Sequence, residues 1–302
     1  MAAPPAHLER SALRVSIAVT AALSVIGVAW GIATGSQMIL LDGVYGFVGI
    51  VLSWLLIRAS SLAEQGPTKN FPYGREAATP LVIGIQGFVL AATLIYAAVE
   101  GVYTIRAGGS DLTPGWAILY GAIAAVTSLA TWWWLHGQSE NSDLLTAEAT
   151  AWRVGAMRGV GMVIGFTIML LLVDSRWDRA AVYVDPVMVL ITCVILIRTP
   201  IQMIRTTVVE LLEGTPSTDV QTGVHLAIDE VRRLFDIDQP EIRMTKIGPK
   251  LYVEIDAKVQ PDVTVSQEHE VRVAIRERLE QLPYEIWLNV ELSPKPRLPS
   301  AD

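Results

Sequence analysis

Cysteine is nearly absent from this sequence, and histidine is rare. Cys193 is the only cysteine, so the chain has neither a disulfide framework nor a thiolate cluster for a soft metal. All four histidines lie outside the long apolar segments: His7, His136, His225 and His269. A transmembrane metal site built on imidazole is therefore not expected.

Charged residues are also scarce, at 18% of the chain, and the net charge is −7. That balance is typical of a membrane protein with a soluble part, and the negative sign argues against nucleic acid as a partner. The first apolar stretch is too long for a signal peptide and has no convincing cleavage site. We find no nucleophile–base pair, phosphate loop or metalloprotease spacing, so an enzyme is not expected.

The sequence contains long apolar segments. Six of them are each near the twenty residues that span a bilayer: 13–34, 38–57, 80–103, 114–135, 149–173 and 180–204. Lysine and arginine are concentrated at the N-terminus, in the 58–79 loop and after the sixth segment. The positive-inside rule therefore predicts a multi-pass protein of the cell membrane with both termini in the cytoplasm.

The pattern changes after residue 213. Residues 218–235 predict an amphipathic helix, with Val220, Val224, Ile228, Val231 and Leu234 on one stripe. Residues 251–259 and 285–292 alternate as strands, 265–282 predict a second helix, and 240–247 would supply a first strand. The uncovered sheet favours dimerisation of this small α+β domain.

These boundaries predict five parts. They are a cytoplasmic tail (1–12), a six-helix transmembrane domain (13–205), a hinge (206–217), a cytoplasmic α+β dimerisation domain (218–296) and a short tail (297–302). The fold class is six transmembrane helices plus a C-terminal ferredoxin-like α+β domain.

Two charged residues inside the spans are costly. Asp42 opens the second segment and shares a helix face with Tyr45 and Gly49. Arg158 lies deep in the fifth segment, on the face of Ala151 and Gly155, where a buried partner is favoured over snorkelling. We predict that the two charges pair. Helix rise places their Cα atoms about 11 Å apart along the membrane normal, so Tyr45 or a water is expected to bridge them.

Several motifs follow one another along nearly the whole chain. They are Thr34-Gly35-Ser36 with Leu41-Asp42-Gly43-Val44-Tyr45 at the entry to helix two, Phe71-Pro72-Tyr73-Gly74-Arg75-Glu76 before helix three, and Ala147-Glu148-Ala149-Thr150-Ala151-Trp152-Arg153-Val154-Gly155 at the start of helix five. Further ones are Asp185-Pro186, Glu210-Leu211-Leu212-Glu213 with Pro216-Ser217, and Gln267-Glu268-His269. In this order they resemble the cation diffusion facilitator family. The first three resemble its Gly-Ser and Ala-Asp-x-x-His stretch, its Phe-Gly-His-Gly-Lys-x-Glu loop and its Ala-Glu-Ala-x-His-x-x-x-Asp motif.

The resemblance implies a proton-coupled exporter of a divalent cation such as zinc, manganese, iron or cobalt, and a homodimer. Its four transmembrane ligand positions fall on Tyr45, Gly49, Ala151 and Gly155. Tyrosine is a poor ligand at neutral pH, and the other three have no ligating side chain. In the cytoplasmic domain the resemblance points to Asp256, His269, Asn289 and Glu291 as metal ligands.

Two functions stay open at this point. The first is membrane cation transport along Asp42, Tyr45, Gly49, Ala151, Gly155 and Arg158. The second is a transport-inactive relative that acts as a scaffold, a regulator or the hetero-dimer partner of an active, paralogous exporter. Binding of a divalent metal to the membrane domain separates them.

Overall fold

The computed structural model describes residues 6–63, 66–137, 143–173, 175–235, 237–261 and 263–293. Its contacts form two compact units. The first contains Met1–Trp54 and Gly87–Ile201, and the second contains Leu55–Gln86 and Gln202–Asp302.

The long helices carry the six predicted membrane spans. They are α1 (Ala6–Thr34), α2 (Gln37–Ala63), α3 (Ala78–Arg106), α4 (Pro114–His136) and α5 (Asp143–Leu172), followed by α6 (Asp178–Ala181), α7 (Val184–Leu196) and α8 (Arg198–Leu211). Within the described residues, six stretches are long and apolar enough to cross a membrane, and α6 to α8 together form the last, Asp178–Leu211. The prediction of six spans is confirmed. Most helices are longer than the predicted segments because polar residues extend them.

The sixth span is interrupted twice, at residues 182–183 between α6 and α7 and at Ile197 between α7 and α8. Pro200 lies three residues later and has no N–H to donate to the carbonyl of Leu196, which explains a break at this point. Helix α8 then continues to Leu211, so the first half of the predicted hinge, 206–217, is helical.

Helices α1 and α2 are joined by a tight turn and pack closely. Gly35 has a left-handed backbone (φ 70°), which lets the chain reverse within two residues. Further along, a Cβ at Gly43 would lie 2.4 Å from the backbone nitrogen of Val28. A side chain at position 43 would therefore push the two helices apart.

The α+β domain follows the predicted order of helix, strand, strand, helix, strand. Its elements are α9 (Thr218–Phe235), β1 (Glu241–Ile247), β2 (Lys250–Lys258), α10 (Val265–Leu279) and β3 (Glu285–Ser293). Strand β2 is central, antiparallel to β1 and parallel to β3. A capping box begins α10, where Thr264 Oγ1 accepts from the backbone of Gln267 and the Gln267 side chain accepts from the backbone of Thr264.

The predicted alternation of β2 is confirmed on its apolar side. Leu251, Val253 and Ile255 are buried with Val224 and Ile228 of α9. Leu234 was predicted on the same stripe of α9, and that is wrong. It is 69% exposed, because the buried stripe ends at Val231, one turn before the helix does.

The second unit also contains two ion pairs that hold the start of the sheet. Lys250 Nζ lies 2.9 Å from Glu76 Oε1 of the loop before α3, and both residues are buried. Lys246 Nζ lies 3.0 Å from Glu210 Oε1 at the end of α8, and Glu210 also accepts from the backbone of Gly248. The turn between β1 and β2 is therefore fixed by carboxylates from two other segments of this unit.

Candidate functional site: a charged cavity in the helical unit

A cavity of about 180 Å³ lies among α1, α2, α4 and α5 of the first unit. Small side chains leave the space, and polar side chains line much of it. The lining residues that carry the arguments below are Ser24, Asp42, Ser128, Glu148, Trp152 and Arg158.

Asp42 and Arg158 meet in this cavity. Arg158 Nε lies 2.8 Å from Asp42 Oδ1, and the two side chains are 33% and 11% exposed respectively. The contact is an ion pair rather than a well-aligned hydrogen bond. The pairing predicted from the sequence is confirmed, and the contact is direct, so neither Tyr45 nor a water bridges it.

The second partner of Asp42 is Tyr120, which the sequence analysis missed. Its hydroxyl donates to Asp42 Oδ2 at 2.8 Å, and its side chain is fully buried against Trp30. A Cβ at Gly27 would lie 2.6 Å from the Tyr120 hydroxyl, so glycine leaves room for the phenol. The available signal was a tyrosine well inside a span, since tyrosine concentrates at membrane interfaces.

A chain of hydrogen bonds reaches the cavity from α1 and α5. Trp152 Nε1 donates to Ser16 Oγ at 2.7 Å, and Ser16 Oγ donates to Glu148 Oε1. Ser16, Thr20 and Ser24 are spaced four residues apart and so share one face of α1. This stripe of hydroxyls is the feature of the sequence that could have indicated the α1 side of the cavity, which was not predicted.

Comparison with known proteins shows the family to which the chain belongs. The family description "cation efflux transmembrane domain" matches residues 13–212, about two thirds of the chain. The chain belongs to the cation diffusion facilitator family. The manganese efflux system protein MneP of Bacillus subtilis is 20% identical over 287 residues, covering 93% of this chain and 94% of MneP. The zinc transporter ZitB of Escherichia coli is 23% identical over 253 residues, covering 80% and 75%.

Of the family's four ligand positions, two line the cavity and two lie outside it. Ala151 and Gly155 line the cavity with Asp42 and Arg158. Tyr45 instead packs on the apolar core of the first unit, and the space beside Gly49 is open for 4 Å around a Cβ. Over the described residues, no three His, Cys, Asp or Glu side chains are placed to hold a metal ion together.

The four residues suggested as cytoplasmic ligands do not lie on one face of the α+β domain. Asp256 and Glu291 are partners across β2 and β3, and Asn289 lies two residues from Glu291 on the same face. His269 is exposed on α10, which packs on the opposite, apolar face. One chain does not bring the four together, so a metal site there stays a prediction that requires a second copy.

Asp185 has a role that the sequence analysis did not assign. The side chain of Asp185 is fully buried. Its carboxylate accepts from Ser36 Oγ at 2.7 Å and from the backbone nitrogens of Gln37 and Met38 at 2.9 and 3.2 Å. These are the free N–H groups at the start of α2, which a carboxylate stabilises.

Proposed function

We propose that this chain is a membrane cation transporter whose substrate binds in the cavity beside Asp42. The observation that carries the proposal is the Asp42–Arg158 pair, inside a domain of the cation efflux type. Its relatives are named for the efflux of manganese and the transport of zinc. A buried carboxylate within a span is a functional group by default, because burial without a role is costly.

Arg158 gives Asp42 a partner when no substrate is bound. An unpaired carboxylate in a low-dielectric site is strongly unfavourable, and the guanidinium removes that penalty. An entering cation competes with the guanidinium for Asp42 Oδ1. The Arg158 side chain is one third exposed, so it can move away from Asp42 when the cation binds. The guanidinium thus balances the charge of Asp42 while no metal is bound.

Transport proceeds by alternating access and is driven by proton exchange. Asp42 and Glu148 are the two carboxylates of the cavity, so they are the groups that carry protons on the return step. Both termini lie in the cytoplasm, as the lysine and arginine bias indicates. The protein works as a homodimer. Light scattering of the detergent-purified protein should therefore give the mass of two chains, and the mass of one chain would contradict the dimer.

A transport-inactive scaffold is the second candidate. The observation that favours it is that Gly49, Ala151 and Gly155 have no ligating side chain. Such a protein would need the fold and the pair for stability alone.

Ion flux in proteoliposomes separates the two. The purified full chain is reconstituted, and cation uptake is measured with an outward or inward proton gradient. We expect uptake that the proton gradient accelerates and that Asp42→Asn abolishes. Asp111→Asn is the matched control, because Asp111 is an exposed aspartate in the connection between α3 and α4. A folded protein that moves no cation under either gradient would favour the scaffold.

A further inference from the structure

The side chains around the cavity offer a cation oxygen ligands only. Among the residues that line it in the described part of the chain, there is no histidine, cysteine or methionine. The side chains that can act as ligands are two carboxylates and three hydroxyls, from Asp42, Glu148, Thr20, Ser24 and Ser128. Imidazole and thiolate suit zinc, whereas carboxylate and water oxygens suit manganese and magnesium. The lining of the cavity therefore favours a hard divalent cation.

Two of these hydroxyls are buried without a hydrogen-bond partner. Ser24 of α1 and Ser128 of α4 are 3% and 5% exposed and line the cavity. Within the described part of the chain, neither hydroxyl makes a hydrogen bond, although buried polar groups nearly always do. Thr20 differs, because its hydroxyl already donates to the carbonyl of Ser16. Ser24 and Ser128 therefore have lone pairs available to a ligand in the cavity.

Ser24 lies about one helical turn from Asp42. Its Oγ faces Gly46 of α2, where a Cβ would lie only 2.5 Å away. Gly46 follows Asp42 by one turn on the same face of α2, and residues so spaced lie about 5–6 Å apart. Tyr120 donates a hydrogen bond to Asp42 Oδ2, so Oδ1 is the oxygen that a cation can take once Arg158 has moved away. A cation at Oδ1 is therefore close to the Ser24 hydroxyl.

Ser128 occupies the place of a missing ligand of α5. Gly155 is one of the family's ligand positions and has no side chain to bind a metal. A Cβ at Gly155 would lie 3.3 Å from Ser128 Oγ, so a hydroxyl of α4 stands where a side chain of α5 would project. Gly155 precedes Arg158 by one helical turn, which places Ser128 close to the ion pair as well. Hydroxyls from α1 and α4 thus lie on two sides of Asp42.

The charges of the cavity match one divalent cation when Arg158 has moved away from Asp42. With both carboxylates ionised, Asp42 and Glu148 then carry two negative charges, which a divalent ion neutralises in a low-dielectric site. One carboxylate and two hydroxyls do not complete the octahedral oxygen shell of a hard ion, so the ion keeps some of its water. The cavity of about 180 Å³ has room for that water.

We infer that Ser24 and Ser128 are ligands of the transported cation beside Asp42, and that this oxygen-only site takes manganese in preference to zinc. The inference rests on the proposed function, since it names the ligands and the substrate class of that same site. It places metal ligands on α1 and α4, two helices to which the family resemblance assigns none.

The first test is a panel of divalent metals on the reconstituted full chain. Uptake of manganese, zinc, iron and cobalt is measured in parallel at equal free concentrations, against liposomes without protein. We expect kcat/KM for manganese to exceed that for zinc about tenfold or more. A preference for zinc, iron or cobalt would overturn the oxygen-only site and leave the transporter intact. Uptake of none of the four would overturn both the inference and the proposed function.

Cysteine substitutions test whether the two hydroxyls touch the metal. Ser24→Cys and Ser128→Cys each replace an oxygen ligand by a sulfur ligand of similar shape, and sulfur suits zinc. Each should raise the ratio of zinc uptake to manganese uptake about tenfold. A serine that only packs against its neighbours would leave this ratio unchanged. Ser53→Cys is the matched control, since Ser53 is exposed on α2 and does not line the cavity.

Alanine substitutions remove the two ligands. Ser24→Ala combined with Ser128→Ala should raise the KM for manganese about tenfold, whereas Ser53→Ala should leave it unchanged. An unchanged KM in the folded double variant, or an unchanged zinc-to-manganese ratio in both cysteine variants, would overturn the inference. If the double alanine variant does not fold, the cysteine variants alone decide.

Discussion

Arg158 Nε and Asp42 Oδ1 lie 2.8 Å apart, joining a cation of α5 to an anion of α2. Because each charge is the other's partner, removing one should cost more in the presence of the second than in its absence. We expect a coupling energy of about 1–3 kcal/mol between Asp42→Asn and Arg158→Gln. The measurement is thermal unfolding in detergent of both single variants and the double variant.

Arg153→Gln is the control for that cycle. Arg153 is exposed on the same helix, so its replacement should change stability by about 0.5 kcal/mol or less. Strictly additive losses for Asp42 and Arg158 would mean that the observed contact contributes no energy.

Zinc should bind this protein weakly, despite its relatives. With Gly49, Ala151 and Gly155 at ligand positions and no histidine in the cavity, we expect a Kd of about 1 mM or weaker. Calorimetry on the full chain measures it, and His269→Ala reports any share of the cytoplasmic domain. Micromolar binding that Asp42→Ala removes would make Asp42 a zinc ligand.

The ion pair between Lys250 and Glu76 should stabilise the second unit. Lys250→Met leaves Glu76 buried without that partner, so we expect a loss of about 1–3 kcal/mol. Lys258→Met on the same strand is the control, because Lys258 is exposed. Equal unfolding temperatures for the two variants would contradict the role of the pair.

The same pair gives a dependence on pH. Burial lowers the pKa of Lys250, but the hydrogen bond and charge of Glu76, together with the charges of Tyr252 and Glu285, raise it above its ordinary 10.5. A base whose pKa is raised by folding stabilises the fold fully below pH 10.5, and this contribution is lost as the pH rises through the folded pKa. The difference in unfolding temperature between wild type and Lys250→Met should therefore shrink above that pH.

The predicted orientation can be tested with reporter fusions. A reporter placed after Ser217 and one within 107–112 should lie in opposite compartments, because an odd number of spans separates the two positions. The cytoplasmic signal should come from the fusion after Ser217. Activity of both in one compartment would contradict the orientation.

The sequence predicted the spans and the buried pair for the same physical reason. Lipid requires about twenty apolar residues per crossing, and a charge in such a segment needs a partner. With few charges in the spans, Asp42 was the evident partner for Arg158. The order of the α+β elements followed equally from strand alternation and one amphipathic stripe.

What the sequence did not predict depends on how separate helices meet. Hydroxyls in spans usually bond to their own backbone, as Thr20 does here, so nothing in the sequence indicated that Ser128 lines a cavity. Tyr120 and Asp185 act on residues 78 and 149 positions away in sequence. Only the packing of the helices brings those partners together.

Asp185 also bears on how such a transporter moves. Its carboxylate accepts three hydrogen bonds, from Ser36 Oγ and from the backbone nitrogens of Gln37 and Met38, which hold the start of α2 to the first turn of α7. A motion that separated these two helix ends would leave the buried carboxylate without its hydrogen bonds. We therefore expect the two helices to move together as one rigid body. Asp42 lies on α2, four residues after Met38, and Arg158 lies on α5. In the proposed transport cycle, a movement of α2 relative to α5 would therefore break and re-form this ion pair.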